Sequence, residues 1–142
     1  MSAPFKGDLP YDINFMHTKY GVHEWIKQNK DNPELLTKFL KFRLSFLMEE
    51  LQETEKAVDE KDSEEVVDGL IDLVVVALGT LDAFGVDTYR AWDEVLRANL
   101  DKEVGVKESR PNPLGMPDLI KPEGWKAPTH RGNHGIIPNA FQ

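Results

Sequence analysis

Two groups of acidic residues are the side chains in this sequence that are best placed to do chemistry. The first is EELQE, in which Glu49, Glu50 and Glu53 project from neighbouring rows if the segment is helical. Like charges at this spacing destabilise an isolated helix, so we expect a cation to neutralise them. Because no His or Cys lies nearby, the carboxylates favour Mg²⁺, with Mn²⁺ as a substitute, over zinc.

The second group is Glu65, Asp68 and Asp72, whose spacing of three and four places them on one helix face. Asp72 stands among Leu, Ile and Val, where an unpaired carboxylate would cost roughly several kcal/mol or would protonate. Two acidic rows on consecutive antiparallel helices can face each other and hold a divalent cation. The alternatives are an Asp72 paired with a distant Arg or Lys, and acidic faces that are merely solvated.

Composition limits the partners that these residues could have. The chain has 142 residues and a net charge of −8, and from Glu49 to Asp72 eleven acidic residues oppose only two lysines. This balance argues against nucleic acid as a partner, and the absence of Cys excludes disulfides and a thiolate nucleophile. The longest apolar run, Leu73–Leu78, is too short for a membrane span, and the N-terminus lacks the apolar segment of a signal peptide. We expect one cytoplasmic domain without a membrane partner.

The elements that must position the acidic rows are helices. Capping residues and apolar periodicity predict four of them: from Asp12 to about Asn29, from Pro33 to about Lys61, from Asp62 to Gly85, and from Asp87 to about Glu103. Asn32 before Pro33 is a strong start signal, and Asp62 with Glu65 resembles a capping box. The third helix is apolar on nearly all sides from Leu70 to Leu78, which predicts that it is the most buried.

The predicted fold class is therefore all-α: an antiparallel helical bundle of about four helices with a loop-rich C-terminal extension. The helical pattern indicates a domain over residues 1–104. Residues 105–142 contain five Gly and six Pro without periodicity, which is typical of loops, and no strand pair is expected there. We expect this extension to pack on the bundle or on a neighbouring subunit.

Four segments together resemble the MazG-like and phosphoribosyl-ATP pyrophosphohydrolase-like group of all-α nucleotide pyrophosphatases. They are EELQE, EEVVDGLIDLVVVALGTLDAFGVD, RANLDK and KPEGW, and the resemblance covers about residues 35–128. The EExxE triad of the family matches Glu49, Glu50 and Glu53, and its ExxD pair matches Glu65 and Asp68 when read literally. Asp72 could instead be the aspartate of that pair, in which case Gly69 would replace the family's glutamate.

The resemblance implies hydrolysis of a nucleoside triphosphate, NTP or dNTP, to the monophosphate and pyrophosphate with Mg²⁺. Glu49 or Glu50 would then orient or deprotonate the attacking water, and all six acidic residues are candidate metal ligands. The expected substrate contacts are Arg43, Asn99, Lys102, Lys121 and Trp125, of which Asn99 and Lys102 resemble family positions near the phosphates. The resemblance also implies a homodimer or homotetramer.

Two other functions remain open from the sequence. One is hydrolysis of phosphoribosyl-ATP by the same chemistry. The other is a non-catalytic helical interaction module whose acidic face binds a basic protein. Two of the expected substrate contacts also have structural alternatives: Lys102 could stabilise a helix C-terminus, and Trp125 could anchor the extension to the bundle.

Overall fold

The computed structural model describes residues 7–107 and 114–142, and within them it confirms the all-α class. The five α-helices are α1 (Leu9–Tyr20), α2 (Val22–Asn29), α3 (Pro33–Asp59), α4 (Ser63–Ala83) and α5 (Thr88–Leu100). Two short strands follow, β1 (Glu103–Gly105) and β2 (Asp118–Ile120), and a 3₁₀ helix spans Ile137–Phe141.

The first predicted helix is wrong in both its start and its continuity. The N-cap is Asp8 instead of Asp12, because the Asp8 side chain accepts a hydrogen bond from the Tyr11 amide at 3.1 Å. Gly21 then adopts a left-handed conformation with φ 75°, which ends α1 and starts α2 as a separate helix. Glycine takes this conformation without the steric cost that a side chain would bring.

The hairpin that carries both acidic rows begins where the sequence predicts. The Asn32 side chain accepts from the Leu35 amide at 3.2 Å, and the Asp62 side chain accepts from the Glu65 amide at 3.2 Å. These bonds cap α3 and α4, which satisfies donors that have no partner within a helix. The short turn after Asp59 reverses the chain, so that α3 and α4 pack extensively against each other.

The prediction that the third helix, α4, is the most buried is wrong for this chain by itself. Leu70, Ile71 and Val74 keep 53 %, 58 % and 41 % of their surface exposed. One face of α4 is covered by α1 and α3, and the described residues leave much of the apolar surface on its other side exposed. Among the described residues, no helix combines the length and hydropathy required to cross a membrane.

The expectation that the C-terminal extension holds no strand pair is also wrong. β1 and β2 pair antiparallel, with Glu103 opposite Ile120 and Gly105 opposite Asp118. Three residues per strand are too few for an alternating pattern to be visible in the sequence. Because Glu103 begins β1, α5 ends at Leu100 and not near Glu103.

The described residues form two compact units. The first holds the residues up to Thr88 together with His134–Gln142, and its core includes Leu36, Phe84 and Ala140. The Ile136 amide donates to the Phe84 carbonyl at 2.8 Å. The second unit lies within Tyr89–Asn133 and contains α5 from Tyr89 onward and both strands. The boundary predicted between residues 104 and 105 stays a prediction.

Candidate functional site

Two glycines on α4 set how closely it approaches α3. A Cβ atom on Gly69 would lie 2.1 Å from the Thr54 hydroxyl oxygen, and one on Gly79 would lie 2.4 Å from Nη2 of Arg43. A side chain at position 69 would overlap the Thr54 side chain, and one at position 79 would require the Arg43 guanidinium to move. Because the helices run antiparallel between these contacts, Glu50 on α3 lies at the level of Asp72 on α4.

Glu50 on α3 lies within electrostatic range of the acidic row on α4. The pKa of Glu50 is raised, first because the carboxylate is partly desolvated and next because of the negative charge of Asp72. Glu53, Glu49 and Asp68 raise this pKa further. Glu65 is exposed in the first turn of α4. The structure therefore brings five of the six predicted acidic residues into one local field.

In the part of the chain that the structure describes, no basic side chain pairs with the acidic cluster, by which we mean Glu49, Glu50, Glu53, Asp68 and Asp72. Within residues 7–107 and 114–142, none of the five carboxylates forms an ion pair with Lys, Arg or His. A divalent cation would bind favourably at these carboxylates, because its charge would offset the repulsion among them. The distant basic partner considered for Asp72 is not found in this part of the chain.

The donor set of the acidic cluster fits Mg²⁺ in its chemistry. All the donors are carboxylate oxygens, which are the ligands that Mg²⁺ and Mn²⁺ take. Among the described residues, no three of these oxygens lie within 4.8 Å of one another. Mg²⁺ usually keeps several waters and takes few protein ligands, so such spacing is compatible with it. Which carboxylates are ligands stays a prediction.

Arg43 occupies the other end of the α3–α4 contact. Its Nε donates to the Thr80 hydroxyl at 3.0 Å, and its Nη2 donates to the Val76 carbonyl at 3.1 Å. The guanidinium also stacks near the Phe39 ring, 5.9 Å from the ring centre. These bonds tie α3 to α4, while the predicted contact of Arg43 with substrate stays a prediction.

Three of the other predicted substrate contacts meet in the second unit. The ammonium groups of Lys102 and Lys121 lie 5.3 and 5.1 Å from the centre of the Trp125 ring. Trp125 itself donates from Nε1 to the Ala98 carbonyl at 2.7 Å, which anchors the extension to α5. Asn99 is exposed on the same helix. The arrangement concentrates positive charge at one aromatic ring.

Sequence reasoning missed a cluster formed by His17, His23 and Asp82. Nδ1 of His17 and Nε2 of His23 lie 2.9 and 2.7 Å from the same oxygen, Oδ2 of Asp82. The three residues belong to α1, α2 and α4, so no spacing in the sequence reveals their convergence. The sequence offers one signal: His17 follows the apolar Ile13 by four residues, which places both on one face of α1. Both are buried, and His17 is 3 % exposed.

Comparisons with known proteins bear on the α3–α4 hairpin directly. A family model described as phosphoribosyl-ATP pyrophosphohydrolase matches residues 20–99, which is 80 of the 142 residues. The matched range contains both acidic rows, Arg43 and Asn99. The search of curated proteins finds no match.

Proposed function

The chain belongs to the phosphoribosyl-ATP pyrophosphohydrolase family and is therefore a hydrolase of phosphoric anhydride bonds, and from this premise we propose that it converts a nucleoside triphosphate to the monophosphate and pyrophosphate with Mg²⁺. The proposed substrate is an NTP or dNTP, and the proposed role is control of the nucleotide pool. The proposed location is the cytoplasm.

The observation that supports this proposal is the acidic cluster. Desolvation and the four other carboxylates of the cluster raise the pKa of Glu50, and none of the five has an ion-pair partner among the described residues. By themselves they would repel a triphosphate. A bound divalent cation reverses that local charge and makes the same carboxylates a site for phosphate. This explains how a chain with a net charge of −8 can bind an anionic substrate.

In the proposed mechanism, the carboxylates position the reactants and water. Mg²⁺ would supply charge neutralisation at the phosphate oxygens and at the attacking water. We propose that it is held by residues from Glu49, Glu50, Glu53, Glu65, Asp68 and Asp72. Glu49 or Glu50 orients the water and accepts its proton, since both lie on the α3 row that faces Asp72 or flanks it.

We propose the positively charged and aromatic residues as substrate contacts. Lys102 and Lys121 flank the Trp125 ring, where they provide two donors for phosphate beside a surface on which a base can stack. Asn99 and Arg43 complete the proposed set. The test is whether Lys102→Gln raises KM more than it lowers kcat, which is the signature of lost substrate binding.

Phosphoribosyl-ATP is the second candidate substrate, because it is the one in the description of the matching family. The same anhydride chemistry applies to both substrates. Direct assay separates the candidates: the two substrates are compared at equal concentration with Mg²⁺, and kcat/KM is measured for each. A ratio that strongly favours phosphoribosyl-ATP would replace the proposed substrate class and keep the proposed site.

The experiment that tests the proposed function is a panel of common and damaged NTPs and dNTPs with the products resolved. We expect pyrophosphate and a monophosphate, and activity that EDTA abolishes. Glu50→Gln and Asp72→Asn should each lower kcat/KM by about 100-fold or more, because each removes a carboxylate from the cluster. Glu55→Gln, on the exposed part of α3, is the matched control. Release of orthophosphate, or full activity in both cluster variants, would contradict the proposal.

A further inference from the structure

The first unit contains a second group of metal-type ligands, distinct from the acidic cluster. We propose that His17 Nδ1, His23 Nε2 and Asp82 Oδ2 form a binding site for a divalent transition metal of the Zn²⁺ type. Their three ligand atoms all lie within 4.8 Å of one another. In the described residues this is the one group of His, Cys, Asp or Glu that converges so closely.

One ring nitrogen of His23 faces the Asp82 carboxylate, and the other lies near the Thr18 hydroxyl. The Thr18 hydroxyl donates its single hydrogen to the Asn14 carbonyl at 2.9 Å. The Thr18 hydroxyl oxygen also lies 3.3 Å from Nδ1 of His23. When Nδ1 carries the ring hydrogen, as it would in a metal-bound His23, Nε2 presents its lone pair to the Asp82 oxygen 2.7 Å away. Two lone pairs at that distance repel unless a proton or a metal ion lies between them.

The surrounding groups hold the ligands in the orientation that a metal requires. The Asn14 side chain donates to Oδ1 of Asp82 at 3.0 Å, which leaves Oδ2 directed at both imidazoles. Thr18 fixes the ring of His23 through the nitrogen that does not face Asp82. Such outer hydrogen bonds, to the second ring nitrogen of His and to the carboxylate, are typical of metal sites.

The ligand distances require only a small adjustment. Zn²⁺ binds His nitrogen and carboxylate oxygen at about 2.0–2.2 Å in a tetrahedral arrangement, so its ligands lie about 3.3 Å apart. The two contacts to Asp82, at 2.7 and 2.9 Å, must each lengthen by about half an ångström. Three protein ligands then leave the fourth position for water or another ligand.

Some of the charges near the site favour metal binding and others oppose it. Burial lowers the pKa of His17, which favours the neutral imidazole that binds metal. Asp82 supplies one negative charge. Arg43 is the cation that faces His17, and its charge opposes a second cation there. We therefore expect a metal affinity weaker than that of an unopposed site with the same ligands.

The chemistry of the ligands separates this site from the proposed Mg²⁺ site. Imidazole nitrogens favour Zn²⁺ and similar transition metals, whereas the all-carboxylate cluster favours Mg²⁺. The ligands come from α1, α2 and α4, so a bound ion would link three helices of the first unit. Binding to the folded state alone should raise its stability.

The test is Co²⁺ binding to the full-length protein after treatment with EDTA. Four-coordinate Co²⁺ absorbs visible light much more strongly than six-coordinate Co²⁺, so the spectrum reports the proposed site and not an octahedral site of oxygens. We expect one strongly absorbing Co²⁺ per chain, displaced by Zn²⁺. His23→Gln and Asp82→Asn should weaken binding by at least about tenfold.

Two control variants make the outcome specific. His134→Gln changes an exposed histidine and should leave the spectrum unchanged. Glu50→Gln should also leave it unchanged, so the result is independent of the proposed pyrophosphohydrolase site. Circular dichroism identifies any variant that fails to fold. Because His23 is one-third exposed, we expect His23→Gln to fold, and this variant alone suffices for the test if Asp82→Asn does not fold. A wild-type spectrum without strong bands, or bands that persist in His23→Gln, would overturn the proposal.

Discussion

At the scale of single residues, Asp72 is the most informative position in the chain. Its apolar neighbours in the sequence indicate that an aspartate there needs a specific reason, since burial penalises a lone carboxylate. The structure places it half-buried and opposite Glu50, whose pKa it raises. Asp72 destabilises the packing of α4 on α3 through this repulsion. Binding of a ligand therefore explains its presence better than a contribution to stability does.

This repulsion predicts that Glu50→Gln stabilises the metal-free protein. The substitution removes one charge from a cluster in which four others oppose it. In EDTA, the thermal midpoint of the variant should exceed that of the wild type. Added Mg²⁺ should raise the midpoint of the wild type more than that of the variant. Glu55→Gln should show neither effect, and a less stable Glu50→Gln variant in EDTA would contradict the prediction.

Glu94 predicts a pH dependence in the second unit. Its carboxylate accepts from the Thr129 amide and from Arg97, both at 3.3 Å, and these bonds lower its pKa below the ordinary value of 4.5. The folded state therefore prefers the ionised form. Its stabilising effect is complete above about pH 4.5 and is lost as the pH falls through the lowered pKa.

The measurement for Glu94 is the amide signal of Thr129 in an NMR titration from neutral to acidic pH. We expect the signal to shift with a midpoint below the ordinary pKa of Glu, as the hydrogen bond to Glu94 is lost. Glu94→Gln should abolish the shift, whereas Glu123→Gln, which changes an exposed glutamate in the same unit, should leave it in place. A midpoint above 4.5 would show that the pKa of Glu94 is raised and not lowered, which contradicts the prediction.

At the scale of the elements, the close approach of α3 to α4 depends on Gly69. We expect Gly69→Ala to destabilise the protein by about 1–3 kcal/mol, because the new methyl group would overlap the buried Thr54 hydroxyl. The same displacement would move Glu50 away from Asp72, so activity should fall together with stability. Denaturant unfolding and the pyrophosphate assay measure the two effects.

The double variant Gly69→Ala/Thr54→Ala identifies the cause. Removing the hydroxyl makes room for the methyl group, so part of the lost stability should return despite the missing Thr54 bond to the Glu50 carbonyl. Val67→Ala, at an exposed position of the same helix, should change stability by less than about 0.5 kcal/mol. Additive losses in the double variant would exclude the steric explanation.

At the scale of the whole molecule, the exposed apolar side chains of α4 predict self-association. Val67, Leu70 and Ile71 each leave more than half of their surface exposed, and such residues are costly in water when they lie together. A homodimer or homotetramer would cover them. Light scattering should therefore give a mass of at least two chains, and Ile71→Glu should reduce it. Leu114→Glu, in a loop, is the control, and a monomeric wild type would refute this prediction.

The sequence by itself determined the local features of the protein. The helical starts at Asn32 and Asp62 are confirmed, because a cap depends on residues only three positions apart. The all-α class is confirmed for the same reason, since helical periodicity is a local pattern. The family is also confirmed, because the family model matches residues 20–99.

Only the tertiary structure decided which residues meet. The position of Asp72 opposite Glu50, the exposed side of α4 and the pairing of β1 with β2 all depend on contacts between segments that the local pattern treats independently. The meeting of His17 and His23 with Asp82 spans 65 and 59 positions. A capping bond forms within one turn of chain, whereas these contacts require the packing of whole helices, and no spacing in the sequence encodes that packing.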